Sequence, residues 1–215
     1  MTEVKPEILE RIRKGETALF REIVDTYRNM ALSLTMKILK NREEAEDALQ
    51  ESFIKLFRAL VSNGFESRAK FSTYFYTIVY NTAVDYYRKY YSRAFNVTSI
   101  EVHEAYYNDG DELTRDFEPM IDRSVYGEDS LSTEKNLDIA EVQRIIRGYI
   151  NTIPQQYSVI LNMFFINELS HEEISTILKL PLGTVKNRIF RAKEKLKEIL
   201  FREFNKEELI EYIKV

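Results

Sequence analysis

Residues 167–178, NELSHEEISTIL, and residues 179–200, KLPLGTVKNRIFRAKEKLKEIL, decide how this chain is to be read. Ser170 and Glu173 form a capping-box pattern ahead of an apolar run, so the spacing predicts a short helix starting there and ending near Leu178. Pro181 then suits the first position of a following helix, where its missing N–H leaves no bond unmade and its fixed φ already fits. Two helices joined by a few residues, the second one basic, have the form of a helix-turn-helix. At about 100° per residue, Val185, Ile189, Ala192, Leu196 and Ile199 share one stripe that should face a core. Asn187, Phe190, Arg191 and Glu194 lie opposite, with Lys186 at the edge of that outer face and Arg188 on the other flank. A ring pointing away from the core suits contact with thymine methyls or sugar; the alternative is that Phe190 packs on the preceding helix and the charges form a solvated face.

Basic residues here contrast with the rest of the chain. The net charge is −4 over 215 residues. It is unevenly spread: Ser99 to Asp138 holds twelve Asp or Glu against three Lys or Arg, whereas Lys179 to Arg202 holds eight Lys or Arg against two Glu. A hydrophobic share of 44% without any run approaching the roughly 18 residues of a membrane span predicts a soluble protein with no membrane insertion. The amino end, MTEVKPEILE, is charged where a signal peptide would be apolar. The lack of cysteine excludes disulfides, thiol catalysis and thiolate metal sites, and suits a cytoplasmic location. His103 and His171, the two histidines, make no metal site, and no cofactor is expected.

Upstream, the periodicity predicts helices at Lys5 to Arg13, at Glu16 to about Lys40, from an Asn41 N-cap to a C-terminal Gly64, and at about Ser72 to Arg93. The last is unusually aromatic, a composition that also favours strands. Between about residues 94 and 133 the periodicity fails, and the excess of acid with Gly, Asn and Ser predicts a linker. Helical patterning resumes near Glu134, and Pro154 suits the first residue of another helix. The expectation is an all-α protein of two helical modules, 1–93 and 134–215, joined by a flexible acidic linker at 94–133, with a helix-turn-helix in the second.

The arrangement IPQQYSVILNMFFINELSHEEISTILKLPLGTVKNRIFRAKEKL closely resembles region 4 of bacterial sigma factors, particularly the extracytoplasmic-function (ECF) group. In the other module, REEAEDALQESFIKLF resembles the region 2 helix that docks on RNA polymerase, and KFSTYFYTIVYNTAVDYYRK the helix that engages the minus-10 element. These matches span nearly all of residues 16 to 202 in the family's order. Departures fall at Tyr74 and Phe75, where the family often has Trp-Leu, and at Tyr80, where it often has a basic residue.

The resemblance implies a sigma factor that performs no chemistry of its own. It places Asp47, Gln50 and Glu51 on a face for the clamp helices of the polymerase's largest catalytic subunit, with Phe53 shared between core and interface. It assigns Asn63 and Phe65, in the loop SNGFESRAK, to capture of a flipped minus-10 base, and puts Asn81, Arg88 and Lys89 near the same DNA. It gives Thr184, Lys186, Asn187, Arg188, Phe190 and Arg191 to the minus-35 duplex. The implied partners are promoter DNA, core RNA polymerase, including the flap of its second-largest subunit, and an anti-sigma factor. Two rivals are a dimeric helix-turn-helix regulator, which leaves the first module unexplained, and a nucleic-acid enzyme, for which paired carboxylates with a base, a phosphate-binding Gly loop and a metal-ligand cluster are all missing from the sequence.

Overall fold

Seven α-helices carry the described part of the chain, which in this computed structural model comprises residues 3–62, 64–65, 70–91 and 148–203. They are α1 (Pro6–Arg13), α2 (Phe20–Leu39, entered through a 3₁₀ turn at Thr17–Leu19), α3 (Arg42–Val61), α4 (Phe71–Tyr91), α5 (Gln155–Leu161), α6 (His171–Leu178) and α7 (Leu182–Glu203). No strand occurs among the described residues. The expected linker and the helical pattern at 134–147 lie outside them.

Local chemistry accounts for most of the boundaries. Asn41 caps α3 by accepting from the Glu44 N–H at 3.2 Å, with Glu43 and Glu44 favourably placed in the first turn. Gly64 stands beyond the expected capping position: Ser62 is the C-cap, and the Gly64 N–H returns to the Ala59 carbonyl at 2.7 Å. Both prolines are also displaced by one residue from the expectation. Pro154 and Pro181 precede α5 and α7 as N-cap residues, and their carbonyls accept the first helical bonds, from Ser158 and Val185. Beyond α5 the chain widens into a π turn over Asn162–Ile166 before the α6 cap.

Helices α2, α3 and α4 pack together around aromatic rings. Phe53 stacks on Phe75 at 5.0 Å, and Tyr27 meets the edges of Phe71 and Phe75 at 5.7 and 5.4 Å. Such pairs add about 0.5–1.5 kcal/mol each beyond the area they bury. α4 is a helix despite its strand-favouring composition because partners cover its amino-terminal half nearly all round. Phe71, Ser72, Thr73, Phe75, Tyr76, Val79 and Tyr80 are buried there, with α2 and α3 on one side and α6 on the other. The second module therefore packs directly on the first. Its own core joins α5, α6 and α7 through Ile160, Leu161, Ile174, Ile177, Val185, Ile189 and Leu196.

Candidate nucleic-acid interface

The turn between α6 and α7 sets the geometry of the candidate interface. Ser170 and Glu173 form the full capping box: the Ser170 side chain accepts from the Glu173 N–H at 3.2 Å and the Glu173 carboxylate from the Ser170 N–H at 2.7 Å. α6 ends on Lys179 in the left-handed conformation, at φ 55°. Leu180 closes the turn, its N–H donating to Ser175 O and its carbonyl accepting from the Ser175 hydroxyl at 2.5 Å.

α7 then presents two different surfaces. Val185, Ile189, Ala192, Leu196 and Leu200 are buried, and Ile199 packs partly against the same core. On the outer face of its first half, Lys186, Asn187 and Arg191 are exposed, Thr184 and Arg188 are half-buried on the flanks, and Phe190 keeps 64% of its surface in water. No other large apolar side chain among the described residues is as exposed. With that exposure the Phe190 ring is no part of the core. In the second half the lysines fold over aromatic rings: Lys193 Nζ lies 4.7 Å from the Phe164 ring and 5.3 Å from Phe165, Lys195 Nζ 5.4 Å from Tyr157, and Lys197 Nζ 5.6 Å from Phe201. Positive charge near the amino end thus points outward, while charge further on is partly engaged with its own module.

Residues assigned to the minus-10 element fall into two groups. Asn81 and Lys89 are exposed along α4, with Arg88 half-buried and its Nη1 3.7 Å from the exposed Asp85. Phe65, by contrast, is buried against Phe71 at 5.8 Å and Tyr74 at 4.9 Å, and Arg13 Nη2 donates to its carbonyl. In this arrangement it is a packing residue and offers no open face to a base. Asn63 lies outside the described residues.

The proposed polymerase face divides similarly. Asp47 and Gln50 are exposed on α3. Glu51 is half-buried and engaged: Lys55 Nζ lies 2.8 Å away, and its hydrogen bonding to Lys55 and to the Tyr86 hydroxyl holds the carboxyl below the usual range. Phe53 is buried on Phe75 and belongs to the core alone, because its side of α3 faces α2 and α4. Ile54, not foreseen from the sequence, is 43% exposed and continues the line of Asp47 and Gln50 at helical spacing. Its signal was available as an apolar residue off the buried stripe.

No group of three or more His, Asp or Glu able to hold a metal occurs among the described residues, and none of their helices is long and apolar enough to cross a membrane. Comparison with known proteins now identifies the two modules separately. Residues 23–93 match the Sigma-70 region 2 family and residues 143–196 the Sigma-70 region 4 family. The chain is 32% identical over 192 residues to the ECF RNA polymerase sigma factor SigW of Bacillus subtilis, covering 89% of this chain and 94% of that protein. The fold is similar to that of CnrH in complex with the cytosolic domain of CnrY, with a TM-score of 0.56 at 15% identity over 91% of this chain and 96% of that one. It also resembles RpoE of Bartonella quintana in complex with the anti-sigma factor NepR, with a TM-score of 0.54 at 17% identity over 84% and 96%. With region 2 packed around α2 to α4, region 4 built on the α6–α7 turn, and a relative matched across nearly its whole length, the chain belongs to the ECF family of RNA polymerase sigma factors.

Proposed function

We propose that this chain binds core RNA polymerase and directs initiation at promoters whose minus-35 duplex is read by α7 and whose minus-10 element is opened by the first module. The outward half of α7 carries the reading: Lys186, Asn187, Phe190 and Arg191 occupy the solvent face of the second helix of a helix-turn-helix, where such a helix enters the major groove. Arg191 and Asn187 read base edges, Phe190 contacts thymine methyls or sugar, and Arg188 and Thr184 grip the backbone. On α4, Asn81 lies along the minus-10 strand, and Arg88 and Lys89 near its phosphates.

Melting needs no chemistry. Flipped bases exchange stacking in the duplex for stacking and hydrogen bonds in protein pockets. Asn63 supplies an amide for this, whereas Phe65 serves only after its packing on Tyr74 is released. Asp47 and Gln50, with Ile54 beside them, form the contact for the clamp helices of the largest subunit; Glu51 orients that face through Lys55 and Tyr86. The region 4 module, 134–215, meets the flap of the second-largest subunit, and 94–133 serves as the acidic connector to region 2 in 1–93. An anti-sigma factor is a further partner, by likeness to the RpoE–NepR complex, and the site of action is the cytoplasm.

The test is a reconstitution. Purified chain should retain core polymerase on an affinity resin and confer initiation at a defined start site on promoter DNA. A chain that binds duplex DNA as a dimer yet neither binds core nor initiates would establish the stand-alone regulator instead. Within this scheme, Asp47→Lys should weaken core binding with the helical circular dichroism unchanged, and unaltered affinity would remove α3 from the interface.

A further inference from the structure

Where the second module packs on α2 and α4, polar side chains close most of the seam. The Thr73 hydroxyl donates to Glu173 at 3.3 Å, and Lys70 Nζ stands 3.2 Å from the same carboxylate. Asn167 Nδ2 donates to Met30 O at 2.8 Å. Gln155 Nε2 donates to the carbonyls of Lys37 at 2.9 Å and Ile38 at 2.7 Å, in the last turn of α2, where a helix has no internal donors left. Beside Gln155 the fit is incomplete, and a cation is left out of the pairing.

Lys37 lines a cleft of about 300 Å³ between α2 and the second module. Ser33 and Met36 of α2, Ile150 and Asn151 ahead of α5, and Asn162 and Ile166 of the π turn complete its wall among the described residues. None of these six is titratable, so no group of the three elements facing Lys37 there carries a charge to set against its own. Lys40, one turn on along α2, is exposed and is itself a cation. Burial alone pushes the Lys37 amine down to about 8, where a carboxylate beside it would push it up. A cation held partly out of water is costly until an anion joins it, and the open space beside Lys37 is room for one.

We propose that this cleft is a binding site for a small carboxylate with a short apolar body, its carboxylate on the Lys37 ammonium and its carbons against Met36, Ile150 and Ile166. Asn162 adds a donor: its Oδ1 accepts from the Ser33 hydroxyl at 3.2 Å, which leaves Nδ2 for the ligand. The volume is at the lower end of those of ligand pockets and fits a small molecule. A lone cation suits a monoanion. A phosphate dianion calls for more charged donors than the wall supplies, and the last turn of α2, the negative end of that helix dipole, opposes a second negative charge. The site goes beyond the sigma-factor reading and does not depend on it.

Hexanoate is the probe, with hexanol and inorganic phosphate as controls for its two halves, titrated calorimetrically into the full chain. Hexanoate should bind with one-to-one stoichiometry and raise the thermal midpoint as its concentration rises, whereas each control should bind about tenfold more weakly or worse. Only the ammonium form attracts the ligand, so affinity should fall about tenfold between about pH 7 and pH 9, as the protonated fraction of an amine titrating near 8 does. Lys37→Met should lose hexanoate binding with its helical circular dichroism unchanged. Lys37→Arg should bind within about threefold of the wild type and lose the pH dependence, because a guanidinium stays charged throughout. Absence of saturable binding to the wild type, equal affinity in Lys37→Met, or hexanol binding as tightly as hexanoate would overturn the proposal. Phosphate binding more tightly than hexanoate would overturn the choice of a carboxylate.

Discussion

The two halves of α7 are both rich in basic residues, but only the second also carries acid, at Glu194, Glu198 and Glu203, and rings beneath its lysines. In the first half Lys186, Phe190 and Arg191 face solvent; from Lys193 onward the lysines lie over Phe164, Tyr157 and Phe201. Charge alone therefore does not mark a nucleic-acid surface. What marks it is charge together with an apolar ring left in water on a helix whose opposite stripe is fully buried.

The contrast is sharpest between neighbours. Ile189 is 2% exposed and Phe190 64%. Ile189→Ala should remove about 2–5 kcal/mol of stability, read as a lower thermal midpoint, because the cavity it leaves cannot collapse. Phe190→Ala should alter stability by no more than about 0.5 kcal/mol and yet weaken minus-35 binding. A large loss of stability from Phe190→Ala would mean that the ring packs after all.

Within the outward half, Arg191→Ala should cost about 1–3 kcal/mol at particular base positions. Arg188→Ala, on the flank, should weaken all sequences about equally and lower the slope of log affinity against log salt by about one unit. In the other half, Lys193→Ala should remove about 0.5–1 kcal/mol of folding stability, since its ammonium is shared between two rings, and should leave the salt slope unchanged. A salt slope that falls for Lys193→Ala as much as for Arg188→Ala would erase the distinction between the halves.

Features governed by neighbours in sequence could be read without a structure. The capping box at Ser170 and Glu173, the Asn41 cap and the buried stripe of α7 depend on spacings of three or four residues, and each lies where the pattern put it. The prolines were misplaced by one residue because N-cap and first-turn positions both tolerate a missing N–H. Phe53 and Phe65 could not be assigned from sequence, since whether a ring on α3 or its loop faces a partner or α4 depends on how three helices meet. The seam was equally hidden: Thr73 and Glu173 lie 100 residues apart. One trace of it was visible, because the amino-terminal half of α4 is apolar on more sides than one partner could cover.

Selection of a randomised minus-35 duplex library by the holoenzyme tests the central claim most directly. The wild type should enrich a defined sequence, Arg191→Ala should flatten that preference at particular adjacent positions, and Lys193→Ala should reproduce the wild-type profile. A preference that Arg191→Ala leaves intact, or that both substitutions flatten alike, would contradict the assignment of base reading to the outward half of α7.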